Sequence, residues 1–486
     1  MTTTNAIEPG TTVHVPPGTL LLERNIRDAQ PDPDLVASVR AVGVLQPITA
    51  RVAQDGRLVV RMGFRRTLAA IEAGRDSVPV YVAGHVDDTD ADEIDRIITQ
   101  RDENTHRAGL TAGEEIGVVE QLAAFGLSAD EIAAQARMAK DKVETATRVS
   151  GSKLARKAAA KYEALTLDQA AVVAEFEDDT ETAKTLIVTA IEQPGQFAHT
   201  VQRARDERLI DRLSAALIAD LEQAGVPVVK HPNYDDKTKP LDRLRNDKGK
   251  EITAAAHKTC PGHVAWLTTS WKWVDADGNP CQGNERPPGS RNLQVPRVVY
   301  GCKDPKKHGH TDSWASSSGS RPAADDMTPE QREKARKERA LVIENNKAWD
   351  SAEAVRRDWI GSSLAKLKTP PRGTGAFIAR TLSEDRYVLT HEGNQTSREQ
   401  LCTTWGLPMK AHGYGHRVEI PKGTTENRAL VIALVQIIAA HEASTDRMSW
   451  RRDGTKNRHG YYLRFLQSAG YGLSDVEKYA ISSKTA

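Results

Sequence analysis

No run of apolar residues in this sequence is long enough to cross a bilayer, so no membrane-spanning helix is expected. The opening residues, MTTTNAIEPGTT, lack the basic start and apolar core of a secretory signal, so none is expected. Cysteine is scarce: four in 486 residues are too few for a disulfide scaffold, and a reducing cytoplasm is the expected compartment. Net charge is almost absent, with 67 Lys and Arg against 66 Asp and Glu. Total charge therefore says nothing about nucleic acid, and any basic surface must be local. No internal repeat is found.

What is present fits a soluble chain of about two to four domains, with ordinary apolar content and high charge. Residues 1–20 read as a loose leader. Over 21–86, QPITARV, RLVVRM and VPVYVAG are strand-like, rich in Val and Ile, and separated by Asp55-Gly56 and Gly74. LVASVRAVGV has helical spacing with Gly43 as its stop, and TLAAIEAG is a short helix ending at Gly74. DDTDADEID at 87–95 holds six acids and no base, and reads as a solvated helix start. From 96 to about 210 the pattern is helical. Thr111 with Glu114, Ser128 with Glu131 and Thr166 with Gln169 have capping-box spacing, which predicts several short helices rather than one rod.

Within that region SADEIAAQARMAKDKVETATRV, residues 128–149, has the spacing of a helix-turn-helix. Ile132, Ala133 and Ala136 line the inner face of its first helix, and Val143, Ala146 and Val149 that of its second, with Met138 in the turn. Lys140, Asp141, Lys142, Thr145 and Arg148 are left outside, and Lys153 follows. In such a motif the second helix enters the major groove. Residues 137–161 hold eight Lys or Arg against two acids, an excess suited to phosphate contact. Arg137 stands where glycine is common, and Ala139 where a capping hydroxyl would help. A helical hairpin with a solvated basic face is the competing reading.

Three elements in one order resemble the ParB family of partition proteins. LVASVRAVGVLQPITAR is similar to the family's strand-leading element. VRMGFRRTLAA is similar to its arginine box, with Gly63, Arg65 and Arg66 matching. DENTHRAGLTAGEE is similar to its second box, with Glu103, Asn104 and Arg107 matching. The resemblance runs over about residues 20–210, where LTLDQAAVVAEF is similar to the family's helix after the reading head. It implies a cytidine triphosphate site in which Arg65 and Arg66 hold phosphate oxygens, Gly63 lets the backbone approach, and Glu103 and Asn104 hold Mg²⁺, with Glu103 supporting hydrolysis. Guanidinium groups suit phosphate, and Mg²⁺ favours a carboxylate with phosphate oxygens. It also implies a homodimer on an inverted repeat of double-stranded DNA, a ParA-type ATPase as partner, and association with nucleoid or plasmid. The first box departs from the pattern at Phe64, in place of a glutamate, and at Leu68, in place of an arginine.

Further along, tryptophan, glycine and proline rise over 211–310, and all but one of the cysteines lie there. Cys260-Pro-Gly-His263 and Cys302…His308-Gly-His310 suggest a Zn²⁺ site of two thiolates and two imidazoles, with the completing histidine open and Cys281 a competitor. Two unrelated turns are the alternative. Residues 311–327 read as a linker. Thr328-Pro329-Glu330-Gln331 opens a long charged helix to about Gly361. RMSWRRDGTKNRHGYYLRFL at 447–466 interleaves Arg with aromatics, as a nucleic-acid surface or an ordinary helix–turn. Cys402 reads as a small buried residue.

The expected architecture is α+β and multidomain. It comprises a ParB-like α/β domain at 21–107, a helical DNA-binding domain at 108–210, a β-containing zinc module at 211–310 and a mostly helical region at 328–486. The expected function is DNA binding in plasmid, phage or chromosome partition or in transcriptional control, as a CTP-dependent clamp. The alternatives are a CTP hydrolase, a ParB-like nuclease, or a zinc-containing protein adaptor.

Overall fold

Many helix starts in this chain are set by hydroxyl and carboxylate caps. The computed structural model describes residues 8–22, 31–86, 89–232, 237–275, 277–282, 287, 289–313, 328–391, 395–412, 415–451 and 458–482. It divides into two units, Met1–Pro194 and Gly195–Ala486.

In the first unit, β1 (Thr12–Val15), α1 (Pro33–Val42), β2 (Ile48–Val52), β3 (Leu58–Met62), α2 (Phe64–Glu72) and β4 (Val78–His85) form a small α/β layer. The sheet order is β1-β4-β2-β3, with β4 parallel to β2 and the other pairs antiparallel. The stretch expected as a loose leader thus supplies an edge strand, because Thr12–Val15 pairs with β4; residues 1–7 lie outside the described residues. Asp32 caps α1 by accepting from the Leu35 amide at 2.7 Å, and Gly43 ends it in a left-handed conformation. Ile48, Ala50, Val60, Val78, Val80 and Val82 are fully buried beneath α1 and α2.

The chain then becomes helical: α3 (Asp90–Ala108), α4 (Ala112–Ala124), α5 (Ala129–Gln135), α6 (Lys140–Ser150), α7 (Lys153–Lys161), α8 (Leu167–Ala174) and α9 (Thr180–Glu192). The three predicted capping boxes are formed at α4, α5 and α8. Each satisfies two amides that no intrahelical carbonyl reaches.

The second unit opens with α10 (Phe197–Gln223), so the expected boundary at residue 210 falls inside a continuous helix. Next come β5 (Lys239–Pro240), β6 (Leu244–Arg245), α11 (Ala254–His257), β7 (His263–Val274), β8 (Arg291–Cys302) and β9 (Thr311–Asp312). β7 and β8 form a long antiparallel hairpin from His263 opposite Cys302 to Val274 opposite Arg291. Of the expected linker, Thr311–Asp312 pairs with β6, while 314–327 lie outside the described residues.

The remainder is α12 (Pro329–Ser362), α13 (Thr374–Glu384), α14 (Tyr387–Thr390), α15 (Gln395–Thr404), β10 (Met409–His412), β11 (Gly415–Val418), α16 (Glu426–Ser444), α17 (Arg458–Ser468) and α18 (Asp475–Ile481). The predicted start of α12 is a capping box between Thr328 and Gln331 with Pro329 in the first turn. Its second half docks on the unit's own core through Trp349, Ala352 and Ile360, while Leu341 and Ile343 stay exposed. Trp450, Tyr462, Phe465 and Leu466 belong to the same core, so the Arg–aromatic stretch at 447–466 is packing rather than a stacking platform; 452–457 lie outside the described residues. Cys402 is buried there, as its isolation suggested, and burial pushes its thiol up to about 11. No helix of the described residues is long and apolar enough to cross a membrane.

α4 and α7 approach closely at Gly113, where an added Cβ would meet the Ala159 carbonyl oxygen at 2.9 Å and Ala160 Cα at 3.0 Å. A Cβ at Gly117, one turn on, would meet nothing within 4 Å. Gly113→Ala is therefore expected to destabilise the bundle by about 1–3 kcal/mol. Gly117→Ala is expected to stabilise it by about 0.5–1 kcal/mol through helix propensity. Hydrogen exchange of α4 amides in the full chain reads both, and equal effects would contradict the close contact.

Candidate functional site

Gly63 occupies the N-cap of α2 with φ 100°, a left-handed conformation that an L side chain resists. An added Cβ there would lie 3.3 Å from the Arg66 guanidinium, so the glycine lets that side chain fold over the turn. Arg66 donates to the carbonyls of Gln46 at 2.8 Å and Pro47 at 3.2 Å. Arg65 is exposed and pairs with Asp32. Phe64, where the family pattern has an acid, is buried in the sheet core. Leu68 is half-buried.

Glu103, Asn104 and Arg107 all lie on α3, with Asn104 half-buried. The side chains of Glu103 and Arg107 are outside the described residues. α3 is fastened at two places along its length. At its start, Asp92 is held by Arg51 of β2 and Arg61 of β3, and Asp95 pairs with Arg51 at 3.3 Å. Toward its end, Arg101 donates to the Ala136 carbonyl at 2.7 Å, and Asp102 lies 3.7 Å from Arg137.

The acidic stretch is therefore only partly a solvated helix start. Thr89 caps the helix and Asp90 is exposed, but Asp92 is buried because two arginines from neighbouring strands meet it. Asp87 and Asp88 lie outside the described residues. Around this pair is a cavity of about 150 Å³ lined by Thr49, Arg51, Arg61, Asp95, Arg96 and Thr99, among others. Sequence reasoning missed these arginines. Arg51 and Arg61 sit inside strands that read as apolar, and their partner is far along the chain.

α5 and α6 are joined by a short turn in which Arg137 takes φ 52°, the left-handed position where glycine is usual. Ala139 caps α6 without a side-chain hydrogen bond, as its identity suggested. Ile132, Ala136, Met138, Val143, Ala146 and Val149 are buried, while Ala133 is half-buried. Lys140, Asp141, Lys142 and Arg148 are exposed, as is Lys153 at the start of α7, and Thr145 is half-buried. Lys140 pairs with Asp130 at 2.6 Å and Lys142 with Glu115. Arg148, Lys153 and Lys157 have no ion-pair partner among the described residues.

In the second unit, His257, Cys260, Cys302 and His310 place one ligand atom each within 4.8 Å of the others. Such a set can hold a metal ion. His257 Nε2 lies 3.2 Å from His310 Nε2, and Cys260 Sγ lies 3.7 Å from His310 Nε2. Of the predicted ligands, Cys260, Cys302 and His310 are brought together. His263 and His308 are not in the set, and His257, absent from the prediction, is. His263 instead meets His257 Nδ1 through its own Nδ1 at 2.8 Å and stacks on Tyr300. His308 packs against Gly262, where an added Cβ would lie 2.7 Å from its ring. Cys281 contacts Ser290 at 3.6 Å rather than the cluster. Burial, followed by the neighbouring imidazoles, lowers His257 to about 4, and burial followed by Cys260 pushes Cys302 up to about 12.

Comparison with known proteins adds a family match to the first unit. The ParB N-terminal domain family model matches residues 20–97. A probable chromosome-partitioning protein ParB of Treponema pallidum (strain Nichols) is 37% identical over 101 residues, 21% of this chain and 29% of that protein. A second from Mycobacterium leprae (strain TN) is 35% identical over 117 residues, 23% and 33% of the two chains. The chromosome-partitioning protein Spo0J of Thermus thermophilus is 34% identical over 116 residues, 24% of this chain and 40% of that one. The chain thus spans well under half the length of these relatives. Among solved structures, C-terminally truncated ParB from Caulobacter crescentus complexed to the centromeric parS site is 24% identical, covering 36% of this chain and 91% of that one, with TM-score 0.28. The same protein complexed with CTP-gamma-S is 29% identical, covering 37% and 99%, with TM-score 0.16. Such low TM-scores carry no argument, and the assignment of residues 20–97 as a ParB N-terminal domain rests on the sequence match.

Arg61 and Asp92 are both buried, and Asp92 is the carboxylate that Arg51 and Arg61 share, so its removal breaks a buried ion-pair network. Asp92→Ala is expected to cost about 3–5 kcal/mol. The readout is hydrogen exchange of β2 and β3 amides in the full chain, and unchanged protection would show that the pair does not fasten α3 to the sheet.

Proposed function

We propose that this chain binds double-stranded DNA in the manner of ParB-type partition proteins, with α6 as the element that enters the major groove. The observation that carries this reading is the ParB N-terminal domain at residues 20–97, followed in order by the α5–α6 pair with its basic outer face. Lys142, Thr145 and Arg148 would face base edges or phosphates, with Asp141 beside them. Lys153, at the start of α7, would reach a phosphate. The lysines already paired, Lys140 and Lys142, exchange a carboxylate for a phosphate on binding, whereas Arg148 and Lys153 give up no ion pair. A homodimer on an inverted repeat, and a ParA-type ATPase as partner, belong to the same proposal, as does placement in the cytoplasm on nucleoid or plasmid DNA.

The same reading assigns a CTP–Mg²⁺ site to Gly63, Arg65, Arg66, Glu103, Asn104 and Arg107. In it, Arg65 leaves its exposed pair with Asp32 for phosphate, an exchange that costs little because exposed ion pairs are weak. Phe64 is committed to the core and offers no carboxylate. This reading favours nucleotide binding as a clamp component over turnover, for which Glu103 with Asn104 is the remaining candidate. The CTP hydrolase reading thus shares this site; the described residues give no specific support to a nuclease.

The experiment is a shift or footprint assay of the full chain on DNA from its own locus; failure to bind any of it overturns the reading. Arg148→Ala with Lys153→Ala is expected to lower the slope of log Kobs against log salt by about 2, near 0.9 per phosphate contact. An unchanged slope would sink the placement of α6. Arg66→Ala is expected to abolish CTP binding in equilibrium dialysis while the circular dichroism spectrum is unchanged. Retained binding would remove the arginine box from the site.

A further inference from the structure

We propose that the α11 and β5–β9 segment of the second unit is held together by a structural Zn²⁺ bound through His257 Nε2, Cys260 Sγ, Cys302 Sγ and His310 Nε2, with His263 as the group that orients His257. The proposal is independent of the DNA reading, which rests on the first unit.

Two of the distances between ligand atoms are those of a coordination shell. With Zn–N about 2.0–2.1 Å and Zn–S about 2.3 Å, a tetrahedron has edges of about 3.4 Å between nitrogens and about 3.6 Å between nitrogen and sulfur. The nitrogen pair His257–His310 is separated by 3.2 Å, and Cys260 Sγ lies 3.7 Å from His310 Nε2. All four ligand atoms fall within 4.8 Å of one another. Two thiolates and two imidazoles select Zn²⁺ over the oxygen-seeking Mg²⁺ and Ca²⁺. Four protein ligands close the shell, so the ion binds no substrate and its role is structural.

Support around the ligands follows the same logic. A histidine that ligates through Nε2 carries its proton on Nδ1 and needs an acceptor there. His257 Nδ1 has one in His263 Nδ1, at 2.8 Å. His263 is itself set by the tight turn from Cys260, whose carbonyl accepts its amide at 2.9 Å, and by stacking on Tyr300. It is the first residue of β7, opposite Cys302.

The location explains what the ion would do. Its ligands come from the end of α11, the turn before β7, the end of β8 and the turn before β9. β5, β6 and β9 have two residues each, and the apolar cluster beside them is small, centred on Leu241, Leu244 and Cys302. A core of that size does not hold such short strands, and a metal supplies the missing free energy directly.

Metal analysis of the full chain after exhaustive dialysis tests the proposal. The expected result is about one Zn²⁺ per chain, retained in Cys281→Ser and His308→Ala and lost in His257→Ala and in Cys260→Ser. His263→Ala is expected to keep the stoichiometry and to weaken affinity about 10–100-fold in chelator competition. Should the ligand variants fail to fold, thiol labelling of the unaltered protein decides. Chelator is expected to open Cys260 and Cys302 to alkylation, and added Zn²⁺ to close them again. A protein that purifies without metal and takes up neither Zn²⁺ nor Co²⁺ overturns the proposal. So does loss of metal in His308→Ala with retention in His257→Ala.

Discussion

The first unit depends on how α3 is anchored. The helix has 19 residues, a length of roughly 28 Å at 1.5 Å per residue. Its first turn is fixed to the sheet by the buried carboxylate of Asp92 between Arg51 and Arg61. Three turns on, Arg101 and Asp102 reach the α5–α6 turn through the Ala136 carbonyl and Arg137. The one helix is thus tied both to the sheet and to that turn. Glu103, Asn104 and Arg107 follow directly on the same helix. In the proposed reading, whatever binds at these residues sits beside the contacts that hold the turn of the DNA-reading pair. Arg137 adds to this, because its left-handed backbone is tolerated only where its surroundings over-determine it.

What was legible in the sequence is what local chemistry decides. The caps at Thr111, Ser128, Thr166 and Thr328 were readable because each box closes within four residues. The inner face of α5 and α6 was readable because helical period alone sorts Ile132, Ala136, Val143, Ala146 and Val149 from their charged neighbours. Asp92 was not readable, since its burial is decided by arginines 41 and 31 residues away. The His257–Cys260–Cys302–His310 cluster shows the same limit. A Cys-x-x-His spacing suggested His263 as a ligand, but the turn at 260–263 feeds that residue into β7. The four-residue helix α11, capped by Thr253, brings His257 to the cluster instead.

The second unit carries its own buried charge. Arg356 is wholly buried and donates to Glu442 and to Glu477, with Tyr462 and Tyr471 completing the acceptors' shells. Burial pushes Glu442 upward, but Arg356 and Arg357 outweigh it and hold the carboxyl below its ordinary range. A network of this kind adds little net stability over an apolar core, yet it penalises any packing in which one partner is missing. It joins α12 to α16, α17 and α18, which begin more than sixty residues after α12 ends. That suits a role in fixing which helices meet. No spacing rule reveals it, because Arg356 lies in a charged helix whose other cations are mostly solvated.

Phe64 bears on how a fold and its chemistry can separate. The residue lies between two features of the arginine box, the left-handed Gly63 and the outward Arg65, yet its own side chain points into the core formed by α1, α2 and the sheet. A carboxylate at that buried position would need a partner, whereas Phe64 packs in an apolar cluster. The core and the box therefore compete for this one position, and here the core has won. Arg65 and Arg66 are untouched by that outcome, since one is exposed and the other is held by backbone carbonyls. The arginines that would hold phosphate in the proposed reading are thus independent of the acid missing at Phe64. In the proposed reading, this chain keeps the residues for binding and gives up one that a hydrolytic site would use.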